Sequence, residues 1–167
     1  MRPTSDKLRE TLFNILASRV AGSRVLDVCA GTGAVGIEAL SRGAATVTFI
    51  ESDRRALALI RENLALCGIQ NGYAIIPASA SKALRDLAGH PGELFDIVLL
   101  DPPYTLSIGR AAAPLLADAG VLLAPTGVVV LEHARRHPAP DAAGMLVRSR
   151  ELISGDSGLT FYEMHSI

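Results

Sequence analysis

The sequence lacks several features that would place it in a specialised class of protein. Among 167 residues it has two cysteines, too few for a disulfide framework or a metal cluster, so no metal site is predicted. Cys29 and Cys67 are instead expected to be small core residues. No apolar run approaches the roughly 18 residues of a membrane span, and the opening residues lack the apolar region of a signal peptide. We therefore expect one cytoplasmic domain over 1–167 without membrane contact.

An excess of charge of either sign is also missing. The formal net charge is −1, and 49% of the residues are hydrophobic against 20% charged, which excludes a disordered tail protein. A nucleic-acid partner would therefore need a local basic face rather than a basic domain. The best candidate is the opening segment, where Arg2, Lys7 and Arg9 lie close together. A solvated helix face would explain the same charges equally well.

Apolar patterns along the chain alternate between strand and helix without repeats, which is typical of an α/β fold. Thr4 or Ser5 can cap a first helix, and the segment 1–20 is expected to pack on the rest of the domain. Strands predicted to end near residues 28, 51, 77, 100 and 132 are separated by helices over 34–42, 54–67, 81–87 and 108–119. An antiparallel hairpin over 145–152 and 159–164, turning at 155–158, ends the chain. This order predicts a mostly parallel sheet with helices on both faces.

A glycine-rich turn follows the first predicted strand. Residues 31–36 match G-x-G-x-x-G, a pattern whose backbone N–H groups can meet a carboxylate or phosphate at a helix start. Glu51 lies close to the roughly 20-residue spacing of a ribose-binding acid, so a dinucleotide dehydrogenase is one candidate. Asp27 argues against it, because its carboxylate would face an approaching pyrophosphate. S-adenosylmethionine carries a sulfonium and an ammonium, so it suits Asp27 better, with Glu51 on the ribose hydroxyls.

Residues 101–104, Asp-Pro-Pro-Tyr, follow the predicted strand over 95–100 and suit methyl transfer to a planar nitrogen. Such a nitrogen is a poor nucleophile until acceptors hold its N–H bonds and favour a pyramidal geometry. Asp101 and the carbonyl of Pro102 are the candidate acceptors, in a turn that the two prolines make rigid. Tyr104 would stack on the acceptor base. An Asp-Pro turn that merely ends a strand is the simpler alternative.

The motifs alone leave the acceptor open. Asp-Pro-Pro-aromatic sequences serve guanine-N2, adenine-N6 and the amide of a protein glutamine. A non-enzymatic S-adenosylmethionine sensor or an RNA-binding assembly factor would keep the glycine turn but would have no need of Asp101. Of the four histidines, His133 lies nearest the expected cleft, and a structural role is favoured for it.

Residues 2–16, 30–44 and 101–104 resemble the bacterial small-subunit ribosomal RNA guanine-N2 methyltransferases. The sequence Glu-Ala-Leu-Ser-Arg-Gly-Ala over 38–44 is much more specific than the glycine motif. The resemblance implies a class I, Rossmann-like α/β fold with a seven-stranded sheet, S-adenosylmethionine as methyl donor with S-adenosylhomocysteine as product, and one guanine of 16S ribosomal RNA as acceptor. We expect a monomer that prefers assembled or partly assembled 30S subunits, because ribosomal proteins could supplement a weak electrostatic grip on the RNA.

The resemblance also implies a donor site and an acceptor site. Donor binding would involve the glycine turn and the residues after the next two strands: Asp27, Ala30, Gly31, Thr32, Gly33, Glu51, Ser52, Ser79 and Ala80. The acceptor site would comprise Asp101, Pro102, Pro103 and Tyr104. In the basic opening segment, the expected RNA contacts are Arg2, Thr4, Lys7 and Arg9.

Two features depart from the family pattern. Related enzymes commonly have Asp or Asn where Ser79 stands, to contact the adenine amino group of the donor, and a serine offers no charge there. Family members usually carry a basic, glycine-rich stretch ahead of the Arg-Pro-Thr sequence, whereas this sequence starts at Met1 directly before it.

Overall fold

The computed structural model of the chain describes residues 5–90, 92–103 and 109–165. Helices and strands alternate through most of these residues, as the sequence predicts. In chain order the elements are α1 (Asp6–Val20), β1 (Arg24–Val28), α2 (Ala34–Ser41), β2 (Thr46–Ile50), α3 (Arg54–Leu66), β3 (Tyr73–Ile76), α4 (Ala80–Ala88), β4 (Phe95–Leu100), α5 (Gly109–Val121), β5 (Leu123–Ala134), β6 (Ala142–Ala143), β7 (Leu146–Ser154) and β8 (Ser157–Met164).

The described strands form one sheet in the order β3-β2-β1-β4-β5-β8-β7-β6. The strands β3, β2, β1, β4 and β5 are parallel, and β8, β7 and β6 continue the sheet in antiparallel fashion. The chain builds outward from β1 to β2 and β3, then crosses back to place β4 on the other side of β1. This reversal is the topological switch point at which open α/β sheets bind ligands.

Helices cover both faces of the sheet, because the parallel strands are apolar on both sides. Leu26, Val98 and Leu100 belong to one buried cluster, which α4 and α5 cover. Val25, Ile97 and Leu99 point to the opposite face, into a cluster that α1, α2 and α3 cover. The predicted mostly parallel α/β fold with helices on both faces is therefore confirmed.

Helix α1 starts where the sequence predicts. Ser5 is its N-cap, and the Ser5 hydroxyl oxygen accepts a hydrogen bond from the backbone N–H of Leu8 at 3.2 Å. The helix buries one stripe of side chains against the sheet: Leu8, Leu12, Phe13, Leu16 and Val20. This apolar stripe fixes α1 across the face that carries Ile97 and Leu99.

The structure extends the strand predictions at the carboxyl-terminal end of the chain. β5 spans 123–134 rather than 127–132, because β4 pairs with it on one side and β8 on the other. The hairpin strands reach Ser154 and Ser157, which leaves a two-residue turn with Gly155 at φ 58°. An eighth strand, β6, arises because Gly144 at φ 58° folds two residues back onto β7.

The cysteine expectation is wrong for one of the two residues. Cys29 is partly buried directly after β1, as expected of a core cysteine. Cys67 is exposed, because α3 ends at Leu66 and Cys67 forms its C-cap beyond the buried stripe of the helix. Within the ranges that the structure describes, no helix has the length and apolar character needed to cross a membrane.

Helix α2 packs on β1 and β2 at a distance that only glycine allows at position 36. A Cβ added to Gly36 would lie 2.4 Å from Cε1 of Phe49 and 2.9 Å from Oδ2 of Asp27. Phe49 is fully buried and meets the ring of Tyr73 edge-on, with 6.5 Å between the ring centroids. The Gly36 N–H instead donates a hydrogen bond to Oδ2 of Asp27 at 3.1 Å.

We expect Gly36→Ala to lower the free energy of unfolding by about 1–3 kcal/mol, the usual cost of overpacking a core. The loss should appear although alanine is the better helix former. Urea unfolding measures it, and Gly89→Ala is the matched control. At Gly89, an added Cβ would make ordinary contacts of 3.6 Å with two carbonyl oxygens, so that variant should stay within about 0.5 kcal/mol of wild type. Equal losses in both variants would contradict the close contact at Gly36.

Candidate active site

Four acidic residues lie where adjacent parallel strands reach the same edge of the sheet. Asp27 is near the end of β1, Glu51 follows β2, Asp101 follows β4 and Glu132 is near the end of β5. The register aligns the strand ends, because Val28 pairs with Ile50 and Leu100, and Leu100 pairs with Leu131. The predicted acids Asp27, Glu51 and Asp101 are therefore brought together at the switch point of the sheet.

The glycine-rich turn adopts backbone angles that favour glycine. Cys29, Gly31 and Gly33 have φ values of 61°, 60° and 82°, and Gly33 is the N-cap of α2. The Gly33 N–H donates to the carbonyl of Ala30 at 2.9 Å, and the Ala30 N–H donates to the carbonyl of Ile50 at 3.0 Å. These bonds tie the turn to the end of β2.

Asn63 on α3 supplies a further anchor that the sequence analysis missed. Its side-chain Nδ2 donates to the carbonyl oxygen of Thr32 at 3.0 Å. A polar residue on the otherwise apolar face of α3, one turn from the buried Ile60, was the available signal for it. The predicted donor-site residues Ala30, Gly31, Thr32 and Gly33 thus form one continuous turn, fastened at both ends.

Asp27 is a buried carboxylate with 4% of its surface exposed. Burial raises the pKa of Asp27 to about 7, the hydrogen bond from the Gly36 N–H opposes this rise, and the charge of Glu51 adds to it. Asp27 therefore changes its charge near neutral pH. A cation bound beside it would favour the ionised form.

Glu51 holds the glycine turn and the start of α3 together. Its Oε1 accepts from the Gly31 N–H at 2.8 Å, and its Oε2 accepts from the N–H groups of Ser52 and Asp53 at 3.0 and 2.9 Å. These three bonds compensate a carboxylate of which only 9% is exposed. Asp53 in turn caps α3 by accepting from the Ala56 N–H.

Asp101 lies at the start of the turn after β4. Its backbone N–H donates to the carbonyl of Val28 at 3.3 Å, which continues the pairing of β4 with β1. Asp101, Asp27 and Glu132 together line a cavity of about 30 Å³. Pro102 is buried and Pro103 is exposed, so the turn leads from the interior to the surface. Tyr104 falls outside the described residues.

The electrostatic effect of these acids is visible at Cys29, which sits among them. Burial raises the pKa of the Cys29 thiol to about 12, and the charges of Glu51, Asp101 and Asp27 add to the rise. Cys29 therefore stays a protonated thiol and is no nucleophile at neutral pH. Among the described residues that line the cavity there is no lysine or arginine, and their acidic side chains give this edge a negative potential.

Ser79 and Ala80 lie at the start of α4, after β3. The Ser79 hydroxyl caps this helix by accepting from the Lys82 N–H at 3.3 Å. The cap occupies an acceptor position of the hydroxyl oxygen, while its O–H proton is left to donate. A contact of Ser79 or Ala80 with a donor adenine stays a prediction.

The predicted RNA-binding residues are only partly described. Lys7 is exposed on α1, whereas Arg9 forms ion pairs with Asp6 at 3.0 Å and Glu38 at 3.9 Å. Arg2 and Thr4 fall outside the described residues. Leu12 of the same helix lines the cavity beside Asp101, so α1 passes over the acidic edge.

Two residues near the end of β5 differ in role. His133 is buried; its Nε2 lies 2.8 Å from the Thr160 hydroxyl, and its Nδ1 lies 3.0 Å from the Ala134 carbonyl oxygen. These contacts within the sheet give it the structural role favoured for it. Glu132 was missed; the available signal was an acid near the end of an apolar strand, a position that Glu51 and Asp101 share.

Comparison with known proteins agrees with this geometry. A model of the family described as Conserved hypothetical protein 95 matches residues 1–163. The chain is 34% identical over 162 residues to a putative rRNA methyltransferase, YlbH, of Bacillus subtilis, an alignment covering 97% of this chain and 87% of the relative. It is 35% identical over 163 residues to ribosomal RNA small subunit methyltransferase D of Escherichia coli, which covers 98% and 79%.

A solved structure shows the same architecture. The putative methyltransferase yhhF from Escherichia coli superposes with a TM-score of 0.81 at 33% identity, over 98% of this chain and 87% of that one. These relatives are named methyltransferases, so the dehydrogenase alternative raised by the glycine motif finds no support. The resemblance noted in the sequence is confirmed, and the chain belongs to the Conserved hypothetical protein 95 family and has the class I methyltransferase fold.

Proposed function

We propose that the chain transfers a methyl group from S-adenosylmethionine to the exocyclic N2 of a guanine in 16S ribosomal RNA. One observation carries the proposal: Asp27, next to the glycine turn, and Asp101, which opens the Asp-Pro-Pro-Tyr turn, line the same small cavity. The candidate donor and acceptor groups therefore meet at one edge of the sheet. The name of the Escherichia coli relative, a small-subunit ribosomal RNA methyltransferase, supports the choice of RNA.

The donor side fits a cationic nucleoside. S-adenosylmethionine, when bound, supplies an electrophilic methyl group on a positively charged sulfur. Asp27 offers a buried carboxylate to that positive charge, and Glu51 lies where an acid can accept hydrogen bonds from ribose hydroxyls. The turn from Ala30 to Gly33 lets backbone approach the ligand closely, with Ser52, Ser79 and Ala80 at the neighbouring strand ends.

On the acceptor side, the proposed role of the residues is to position the target amine. Asp101 and the Pro102 carbonyl would accept the N–H bonds of the target amine, which directs its lone pair away from them. The proton released after transfer goes to Asp101 or to water, because a methylated ammonium of this kind is strongly acidic. Pro103 keeps the turn rigid and Tyr104 would stack on the base. The residues supply orientation and electrostatics rather than a tuned general base.

For the RNA itself, Arg2, Thr4, Lys7 and Arg9 remain the proposed contacts. Lys7 is exposed on the helix that passes over the acidic edge, which favours a contact close to the target base. With a net charge of −1, electrostatic attraction to the RNA is weak. Because ribosomal proteins could add contacts, assembled or partly assembled 30S subunits are the proposed substrate. We propose a cytoplasmic monomer, and analytical ultracentrifugation can test the monomeric state.

Labelled S-adenosylmethionine and small subunits from a strain without this modification provide the test. We expect one N2-methylguanine per particle, identified by nucleoside mass spectrometry, at an exposed loop because an unstacked base costs least to extrude there. Appearance of N6-methyladenine, or of a methylated glutamine in a ribosomal protein with unchanged RNA, would contradict the guanine assignment. Absence of any methylated product, with donor binding intact, would favour an assembly factor.

Asp101→Ala is expected to lower kcat at least about 100-fold, comparable to loss of a group that stabilises a transition state directly. Its partner is the acceptor amine, so the Kd for S-adenosylhomocysteine should stay within about threefold of wild type. Initial rates and calorimetry measure the two quantities. Asp86→Ala, at an exposed aspartate that pairs with Lys82 on α4, is the matched control and should leave both unchanged. A large loss of affinity for S-adenosylhomocysteine in the Asp101 variant would show that Asp101 binds the donor instead of the acceptor amine.

Glu51→Gln should weaken binding of S-adenosylhomocysteine by about 1.5–3 kcal/mol, the range for hydrogen bonds to a charged group. The amide also places an N–H donor against N–H groups that the carboxylate accepted from, either at Gly31 or at Ser52 and Asp53. Titration calorimetry gives the affinity, with Glu62→Gln at an exposed position of α3 as the control. Unchanged affinity in the Glu51 variant would remove Glu51 from the donor site.

Binding of the donor should release protons near neutral pH. The pKa of Asp27 is about 7 in the free protein, and a bound cation would lower it. Affinity should therefore rise with pH from about 6 to 8, by at most tenfold per unit, because the ionised form is the one that binds. Calorimetry in two buffers with different heats of ionisation counts the protons. Asp27→Asn should bind more weakly and lose this pH dependence, and an unchanged pH dependence in that variant would contradict the assignment.

The raised pKa of Asp27 also determines whether the free protein becomes more or less stable as the pH rises. A carboxyl whose pKa is raised from 3.8 to about 7 on folding contributes stability at low pH and loses it as pH rises through 7. Relative to Asp27→Asn, wild type should therefore become less stable between pH 5 and pH 7, by up to about 1.4 kcal/mol per pH unit. If the free energy of unfolding changed with pH by the same amount in both proteins, the raised pKa of Asp27 would be contradicted.

A further inference from the structure

Glu132 is the acidic residue of the site to which neither the sequence motifs nor the mechanism above gives a role. It follows Leu131, which pairs with Leu100, so Glu132 stands beside Asp101 on the neighbouring strand. Only 6% of its surface is exposed. Both carboxylates line the same cavity, and both already have an interaction partner in the folded chain, which a ligand would replace or share.

Glu132 is a buried acid at the end of an apolar strand face, beside a second carboxylate. Val128 and Val130 precede it on the same face of β5 and are buried among apolar side chains. A second carboxylate beside Asp101 adds electrostatic repulsion to the cost of removing a charge from water. A buried acid next to a proposed reaction centre is a candidate for recognising the substrate.

Two adjacent carboxylates can accept two adjacent hydrogen bonds, and the target base can supply them. Guanine presents two neighbouring donors, the ring N1–H and the exocyclic N2–H, along its Watson–Crick edge. Adenine presents an unprotonated N1 next to its amino group, which a carboxylate would repel, and a glutamine amide has no second donor group. The cavity is small, at about 30 Å³, so only the edge of a base would reach the carboxylates.

We propose that Glu132 determines specificity for guanine by accepting the N1–H of the target base while Asp101 accepts an N2–H. The inference rests on the proposed guanine-N2 methyl transfer and adds to it the residue that distinguishes guanine from other bases with an amino group. Two acceptors also fix the base in its plane, which orients the N2 nitrogen for transfer. Glu132 is thus a specificity-determining residue that acts on the substrate rather than on the donor.

The test compares two bases that both carry an amino group at C2. Guanine has a proton on N1, whereas 2-aminopurine has a lone pair there. Small subunits are reconstituted with a synthetic RNA fragment carrying one or the other at the target position. Wild type should prefer guanine by at least about 100-fold in kcat/KM, because a site built for hydrogen bonding rejects an analogue that leaves its groups unpaired.

Glu132→Gln should narrow this preference by at least about tenfold, because its amide N–H can donate to N1 of 2-aminopurine. The Kd for S-adenosylhomocysteine should stay within about threefold of wild type, since Glu132 is not among the proposed donor-binding residues. Glu163→Gln on β8, where the glutamate lies near Arg19 at the surface, is the matched control and should keep the full preference. An equal loss on both substrates in the Glu132 variant would make Glu132 a structural residue and overturn the inference.

If Glu132→Gln does not fold, the preference of wild type for guanine over 2-aminopurine still tests the inference. A guanine to 2-aminopurine ratio near 1 in wild type would show that the N1 proton is not read, and would overturn the inference while leaving guanine-N2 transfer intact. Failure of the proposed function has a different signature, because wild type would then methylate neither base at the amino group. Glu132→Asp, which keeps the charge, should retain the preference for guanine at a reduced rate.

Discussion

Burial of negative charge at one edge of the parallel sheet is the constraint on which the site depends. Removing a carboxylate from water is costly unless hydrogen-bond donors replace the water. Glu51 receives three backbone N–H groups from the glycine turn and the start of α3, and Asp27 receives one from Gly36. The glycine turn therefore stabilises the acids as well as making room for a ligand. The negative potential that remains attracts a cation, and the sulfonium of the proposed donor provides one.

The same constraint explains why the helix after the turn must approach so closely. Gly36 can donate to Asp27 only because it has no Cβ to meet Phe49. On the other side of the switch point, β4 and β5 bring Asp101 and Glu132 to the same cavity. The division of the sheet at β1 thus separates the proposed donor side from the proposed acceptor side, and residues of both sides line one small cavity. Transfer between them needs orientation more than acid or base chemistry.

Much of this could be predicted from the sequence because the signals are local. Ser5 as a helix cap, Gly33 at the start of α2 and the apolar strand before Asp101 each depend on residues close in the chain. The family resemblance supplied the fold class for the same reason, through short continuous motifs. The observed sheet order agrees with the strand and helix alternation, since right-handed crossovers leave few arrangements.

Features that depend on contacts between distant segments could not be predicted in this way. Asn63 on α3 donates a hydrogen bond to the carbonyl of Thr32, and α2 and β2 separate these two residues in the chain. The extra length of β5 comes from its pairing with β4 on one side and β8 on the other. Cys67 was placed in the core because free cysteines are usually buried, whereas it forms the C-cap of α3 beyond the buried stripe of the helix. Glu132 was missed although it lies near the end of an apolar strand, because only the register of β4 with β5 shows that it stands beside Asp101.

The central claim is that the acidic edge formed by β1, β2, β4 and β5 is where donor and acceptor meet. A crystal structure of the chain with S-adenosylhomocysteine tests it most directly. The account predicts ribose hydroxyls within hydrogen-bond distance of the Glu51 carboxylate, the amino group on the side of Asp27, and the sulfur turned toward Asp101. A ligand bound at the opposite end of the sheet, or one at this edge with its sulfur directed away from Asp101, would contradict it.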